Sequence, residues 1–457
     1  MKYSNIYFCG IGGIGMAALA RYYLANHCNV AGYDRTPSAL TKALEDEGAL
    51  ISFADSMEAV PETFRDPYNT LVVYTPAVPA DNVPLSFFNT HGFTVLKRAA
   101  VLGLITRASK SLCFAGTHGK TTTSSMAAHI LHTAKVGCNS FLGGILRNYN
   151  SNLLLSPTSP YSVIEADEYD RSFHRLSPYI AVITATDPDH LDIYGNEENY
   201  LESFAHFTEL IHPDGILIIH EGLKLHPRQL PTVRTYTYSR DHGDFHATNI
   251  RRGHGTIIFD FVTPDGIIPD IELGVPVEIN IENAIAAMAA CLLTGDATPD
   301  DLRTAIASFM GAERRFQFIL KEAGDQGRVI IDDYAHHPDE IRQSIQSVRA
   351  LYPDRRLTVV FQPHLYSRTR DFADQFADAL SRADEVILTD IYPAREAPIP
   401  GVTSEIIFKS IKCDNKLLIS KLDFEETMKN RNFEVLLALG AGDLSNLLPH
   451  LAENISR

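Results

Sequence analysis

The chain has 457 residues, 45% hydrophobic and 21% charged, with a formal net charge of −16; at roughly 100–200 residues per domain it has room for two to four domains with ordinary cores. The acidic balance argues against nonspecific nucleic-acid binding, which needs a basic surface, yet leaves open a small anionic ligand held by local cations and backbone N–H groups. No apolar run approaches the ~18–20 residues of a membrane-spanning helix, and six dispersed cysteines without a C-x-x-C pair read as buried thiols in a reducing compartment.

The first 35 residues predict a strand at 5–9, a Gly-rich turn, a helix at 16–24 and a second strand at 29–33 ending at Asp34. Lys2 and the apolar stretch after it imitate a signal peptide, but four glycines in that stretch would weaken a signal helix, so export is not expected. Gly10, Ile11, Gly12, Gly13, Ile14 and Gly15 form a G-x-G-x-x-G turn between strand and helix. Such glycines let the backbone approach a diphosphate, and the helix N-terminus favours its negative charge. Asp34 lies 19 residues beyond Gly15, near the spacing of a ribose-binding acid. NAD, another dinucleotide and a UDP-type ligand all fit this pattern. Further strand runs at 70–74 and 94–96 complete an alternating unit, which implies a parallel sheet with helices on its faces.

A fresh strand at 111–115 opens a second unit, followed by a turn and a helix at 121–133. The turn, Gly116, Thr117, His118, Gly119, Lys120, Thr121 and Thr122, contains the G-K-[ST] end of a phosphate loop. Lys120 would reach the β- and γ-phosphates of ATP, and the Thr121 hydroxyl would meet Mg²⁺. The loop is a shortened variant, because Phe114 stands where the usual spacing places its first Gly. Strands at 162–166 and 180–184 end in Glu165-Ala166-Asp167-Glu168 and near Asp187-Pro188-Asp189-His190. Carboxylates and an imidazole at such strand ends suit a second divalent cation beside ATP phosphates. A strand at 215–220, short alternating strands over 244–273 and an Ala-rich helix at 280–293 follow. Asn280 and Asn283 share one face at the start of that helix, where amides read an adenine edge or a phosphate, or cap the helix.

A third βαβ series begins after Gly311, with strands at 329–332, 357–361, 385–390 and 434–439 and helices at 339–351 and 371–381. Arg314 and Arg315 sit at its entrance, where an Arg on a hinge can reach a transferred phosphate. Asp332-Asp333-Tyr334-Ala335-His336-His337-Pro338 ends one strand, and Gln362-Pro363-His364-Leu365-Tyr366-Ser367-Arg368 ends the next. Zinc at His336, His337 and His364 is disfavoured, because adjacent histidines point apart on an extended strand. Substrate binding by His and Arg fits better.

Taken together, these motifs resemble the Mur ligases. The short Gly-Thr-His-Gly-Lys-Thr loop is similar to that family's ATP loop. The turn at 10–15 followed by Met16 resembles the UDP-diphosphate loop of its alanine-adding branch. Glu165 to Glu168, Arg314-Arg315-Phe316, the segments at 333–338 and 362–364, and Tyr392 to Gly401 occur in that branch's order. The resemblance implies an α/β fold of three domains. These are a Rossmann-like UDP-sugar domain at 1–108, a central P-loop ATPase domain at 109–312 with a parallel sheet plus a small antiparallel part, and a Rossmann-like amino-acid-side domain at 313–457. It implies cytoplasmic synthesis of peptidoglycan precursors, in which ATP and Mg²⁺ drive L-alanine onto the carboxylate of UDP-N-acetylmuramate through an acyl phosphate. Neither nucleic acid nor membrane insertion enters that reaction, and the oligomeric state stays open. Carried over by position, Lys120 and Thr121 handle phosphate and Mg²⁺, Glu165 and His190 a second Mg²⁺, and Asn280 and Asn283 the nucleotide. Arg314 and Asp333 belong to the ATP side, and Tyr334, His336, His364 and Arg368 to the alanine and muramyl side. Three departures stand out: Ile279 replaces a His common in relatives, Leu365 follows His364 where some have Arg, and no Lys occurs between Lys135 and Lys224. The last leaves no candidate for the modified lysine of later ligases of the pathway.

Overall fold

The computed structural model describes residues 3–188, 191–253, 255–324, 326–394 and 396–455, apart from the side chains of 191 and 192. His190 and Arg395, both in motifs read above, lie outside the described residues. The chain divides into two compact units. One comprises residues 1–248, 260–271 and 282–307; the other comprises 249–259, 272–281 and 308–457.

Two sheets build the first unit. β1 (Asn5–Cys9), β2 (Asn29–Tyr33), β3 (Leu50–Ser52), β4 (Thr70–Tyr74) and β5 (Thr94–Lys97) pair in parallel in the order β3-β2-β1-β4-β5. β1 is buried throughout, and its side chains alternate between two cores. Ile6 and Phe8 join one cluster, while Tyr7 and Cys9 join another with Val72 and Phe88. A strand apolar on both faces is what a parallel sheet covered on both sides requires. The strand order reverses at β1 and β4, so the turn after β1 opens at a switch point, where ligands bind in such sheets.

The second sheet contains β6 (Lys110–Ala115), β7 (Asn139–Leu146), β8 (Ser151–Leu154), β9 (Tyr161–Glu165), β10 (Ile180–Ile183), β11 (Ile216–His220) and β12 (Arg234–Tyr238). Their order is β12-β11-β10-β6-β9-β7-β8, parallel except for β7 with β8. β6 is central, flanked by β9 and β10, so its loop and both acidic strand ends open on one edge. A further sheet takes β13 (His246–Gly253), β14 (Thr256–Thr263) and β15 (Gly266–Glu272), the short strands expected over 244–273.

The second unit holds a six-stranded sheet of β16 (Gln317–Lys321), β17 (Val329–Asp333), β18 (Leu357–Phe361), β19 (Glu385–Leu388), β20 (Lys416–Leu418) and β21 (Val435–Leu439). Its order is β16-β17-β21-β18-β19-β20, with only β16 antiparallel. The helix expected at 371–381 is two helices, Tyr366–Asp371 and Ala373–Leu380, joined at Phe372, which has φ −119° and ψ 16°.

All six cysteines are buried and free. Among the described residues, no helix is long and apolar enough to cross a membrane. Buried His129 lies 2.6 Å from the Tyr149 hydroxyl, and burial pushes its imidazole pKa down to about 4. Below about pH 6.5 the unfolded chain therefore binds a proton that the folded one refuses. This histidine's contribution to stability is complete above that pH and is lost as pH falls toward 4. His129→Gln should shrink the drop in urea midpoint between pH 7.5 and pH 5. An unchanged drop would contradict this account of His129.

Candidate active site

The phosphate loop follows from where β6 stops. Gly116 has φ +141°, and a Cβ there would lie 2.7 Å from the Ala185 backbone nitrogen, so only glycine lets the loop turn against the end of β10. Thr117 Oγ1 donates to the Asp187 carbonyl at 2.7 Å and lies 2.9 Å from the Tyr200 hydroxyl. The His118 carbonyl accepts from Thr184 Oγ1, and the exposed His118 ring lies 4.0 Å from Asp187. Helix Lys120–Thr133 begins directly after left-handed Gly119, with Thr122 half-buried in its first turn. Its free N–H groups and dipole make the loop a seat for phosphate.

Lys120 is folded back over this loop. Its Nζ donates to Gly116 O at 2.5 Å and to Glu168 Oε1 at 2.9 Å. Thr121 Oγ1 donates to Glu165 Oε1 at 2.9 Å, while Glu165 Oε2 accepts from Gly143 N at 2.8 Å. Gly143 is presented by an irregularity in the β7–β8 pairing between Phe141 and Leu146. A hydroxyl beside a carboxylate is an all-oxygen donor set, which suits a hard divalent ion such as Mg²⁺. Among the described residues no group of three or more His, Cys, Asp or Glu gathers for a metal; Mg²⁺ usually keeps several waters and needs few protein ligands.

Asn283 sits at the loop. Its Oδ1 accepts from Thr123 Oγ1 at 3.2 Å and lies 2.9 Å from where a Cβ on Gly119 would be. Asn280, also buried, donates to Val275 O at 3.0 Å. Ile279, before it, is exposed.

The turn at 10–15 lines a cavity of about 900 Å³ that is also walled by Arg98, Asp34, Glu165 and Asp167, within the range of small-ligand sites. Gly10 and Ile11 donate to Tyr33 O at 2.8 and 3.1 Å. Ile11 is buried beneath the turn, and Ile14 is exposed. Asp34, read as a ribose ligand, accepts from Gly12 N at 2.7 Å and so braces the turn. Sequence reasoning missed Arg98, whose Nη1 lies 3.0 Å from where a Cβ on Gly15 would be. Its position at the end of β5 on the ligand edge was the available signal.

In the second unit, left-handed Arg314 (φ 57°) donates from Nη2 to Gly440 O at 2.6 Å, and its Nε lies 3.9 Å from Asp332. Burial pushes the Asp332 carboxyl up to about 7, against the opposing pull of Arg314. Burial also raises Asp333, which accepts from Ser344 Oγ and, at 3.4 Å, from Phe316 N. The expected alanine-side residues come together here. The Arg314 guanidinium lies 4.9 Å over the Tyr334 ring, Tyr334 is 5.1 Å from the His336 ring, and His336 is 6.1 Å from His364. Arg368 Nη1 lies 3.4 Å from His364 Nδ1. Burial depresses both histidine pKa values, which favours neutral rings. His337 caps helix Pro338–Leu351 instead, which removes it from this cluster.

Residues 5–110 match the family described as "Mur ligase family, catalytic domain", 114–291 the "Mur ligase middle domain" and 314–444 the "Mur ligase, glutamate ligase domain". A UDP-N-acetylmuramate–L-alanine ligase of Phocaeicola vulgatus is 57% identical, covering 98% of this chain and 97% of that protein. One of Parabacteroides distasonis is 56% identical, covering 99% and 97%. The crystal structure of UDP-N-acetylmuramate–alanine ligase from Thermotoga maritima aligns with TM-score 0.77 at 27% identity over 99% of each chain. A murein peptide ligase from Psychrobacter arcticus shares the fold, with TM-score 0.61 at 20% identity over 99% of each chain.

Proposed function

This chain belongs to the Mur ligase family, and on that premise we propose that it joins L-alanine to the carboxylate of UDP-N-acetylmuramate at the expense of ATP. A single cavity carries this reading. The diphosphate turn at 10–15 and Glu165 wall the same space, and Glu165 is hydrogen-bonded to Thr121 of the phosphate loop. A sugar nucleotide anchored at the turn thus extends toward the phosphates of ATP. The work divides over residues 1–108 for the UDP-sugar, 109–312 for ATP and 313–457 for the amino acid. The nucleotide substrates put the reaction in the cytoplasm.

A muramyl carboxylate oxygen attacks the γ-phosphorus in line, the bond to the β-phosphate oxygen breaks, and ADP leaves. The alanine amine, after losing a proton, attacks the acyl carbon, and the tetrahedral intermediate expels phosphate. Repulsion between an anionic nucleophile and an anionic phosphate is the main electrostatic obstacle, so positioned positive charge is the main contribution the protein makes. Lys120 supplies one such charge to the β- and γ-phosphates, and Arg314 is assigned a second. Gly116 to Thr122 and Asn283 seat the nucleotide, with Asn280 assigned alongside. Mg²⁺ would be held by Thr121 and Glu165, with His190 by sequence position, and supplies charge against the phosphate oxygens. Arg98 offsets the charge of the sugar nucleotide at the turn. Asp333 is assigned to phosphate handling, and Tyr334, His336, His364 and Arg368 to alanine, whose carboxylate suits Arg368.

The product decides. ATP, Mg²⁺ and UDP-N-acetylmuramate with L-alanine should yield a nucleotide heavier by one alanine residue, in equal amount to ADP. Product formed only with a preformed tripeptide would move the chain to peptide recycling. No product with alanine, D-glutamate or tripeptide would overturn the reading.

A further inference from the structure

Lys120 already has an anionic partner. Glu168, 2% exposed, places Oε1 at 2.9 Å and Oε2 at 2.8 Å from Lys120 Nζ, whose own side chain is 13% exposed. With Gly116 O at 2.5 Å and Thr117 O at 3.4 Å, the three N–H bonds of the ammonium are all spent inside the protein. A lysine in this state has no donor left for a phosphate.

The structure around Glu168 keeps it there. Its backbone carbonyl accepts from the Tyr194 hydroxyl at 2.5 Å and from Arg171 N at 3.0 Å. Tyr194 is buried, packs 4.9 Å from the Tyr200 ring, and lies 4.9 Å beneath the Arg171 guanidinium. Tyr200 in turn meets Thr117 of the phosphate loop. Asp170 and Arg171 both adopt left-handed backbone, with φ 51° and 53°. Two such residues in a row are costly without glycine, and such strain gathers at functional segments. A ring of contacts therefore runs from Lys120 through Glu168, Tyr194 and Tyr200 back to Thr117.

The pair is also incomplete. Oε2 of Glu168 is buried and has an ion contact but no hydrogen bond. Burial pushes this carboxyl up, while Lys120 pulls it down. A buried carboxylate held by one lysine and little else is a partner that a phosphate, with more oxygens and more charge, can displace.

We propose that Glu168 is a positioning residue that acts through Lys120: it holds the ammonium over the loop as an internal stand-in for nucleotide phosphate, and ATP binds by displacing it. This rests on the reading of Lys120 as the ATP-phosphate lysine. The latched state lowers apparent nucleotide affinity by the fraction of molecules in which Lys120 is free, so loosening it tightens binding.

The test is calorimetric titration of the full chain with AMP-PNP and Mg²⁺. Glu168→Gln keeps the size of the side chain and removes its charge. It should bind AMP-PNP at least about five-fold more tightly, with a lower melting temperature than the parent in the absence of nucleotide and a smaller gap at saturation. Tyr194→Phe, which frees the Glu168 backbone carbonyl and gives up the long 3.5 Å hydrogen bond from Ser203 Oγ, should shift affinity the same way by about two-fold and serves if the first variant does not fold. Unchanged or weaker affinity in the variants, with a parent that binds normally, would overturn the latch. A parent that does not bind AMP-PNP would instead overturn the ATP reading of Lys120.

Discussion

Lys120→Ala should lower ATP turnover by about 10³-fold while leaving UDP-N-acetylmuramate affinity within about two-fold. The lysine follows directly on the turn Gly116–Gly119; on the proposed function, once freed from Glu168 its ammonium offsets the charge that moves from the γ-phosphate to the leaving oxygen. Removing one positioned charge of this kind typically costs about 10²–10³ in rate. The diphosphate turn at 10–15 is built from β1 and braced by Asp34, so it is untouched by the change. One side effect is foreseeable. The variant strands the buried Glu168 carboxylate, which lowers stability. The Lys120→Ala/Glu168→Gln double variant removes that burden and should stay as slow as the single. Single-turnover ADP formation and a titration with the sugar nucleotide read the two effects separately. Turnover within ten-fold of the parent would remove Lys120 from the chemistry.

Glu165→Gln should cost about 10²-fold in turnover and raise the Mg²⁺ concentration needed for half-activity by about ten-fold or more. The parent carboxylate accepts from Thr121 and from Gly143 N. An amide of the same shape keeps one acceptor but turns an NH₂ toward either the hydroxyl or the Gly143 amide. Both the negative charge and the geometry of the oxygen pair are lost, and a hard divalent ion responds to both. Activity measured across Mg²⁺ concentrations distinguishes a metal ligand from a residue that only shapes the cavity. Parental Mg²⁺ dependence with reduced activity would assign Glu165 to the cavity wall alone.

Features that depend on short-range backbone rules were legible in the residues. The two Gly turns announce themselves because a phosphate-binding backbone needs positive φ and an open approach, which few sequences allow. The strand-end clusters at 165–168 and 332–338 followed from the alternation of apolar runs with helical stretches, since parallel strands deliver their carboxyl ends to one edge. Other features depend on distant partners. β7 carries Gly143 and Gly144 and an irregular pairing, so it lacks the pattern of a strand, yet that irregularity brings an N–H to Glu165. β16 and β20 are edge strands of five and three residues, too short for a periodic signal. Glu168 was visible as one acid among several. Its selection as the partner of Lys120 comes from the left-handed pair at 170–171 and from Tyr194, neither of which a linear pattern encodes. His337 resembled a site residue, but the following Pro338 and Glu340 make it a helix cap. Asp34 lines the cavity at the turn, and its Oδ2 also accepts from the Gly12 amide, a local use that the spacing alone does not encode.

Passage through an acyl phosphate moves one oxygen atom from the muramyl carboxylate to phosphate. UDP-N-acetylmuramate labelled with oxygen-18 in that carboxylate, turned over with ATP, Mg²⁺ and L-alanine, tests this by mass spectrometry of the phosphate released. One labelled oxygen in each phosphate, with the other retained in the new amide, is the predicted result. Unlabelled phosphate beside a doubly labelled sugar nucleotide would mean that ATP is hydrolysed by water without activating the carboxylate, and would contradict the proposed function.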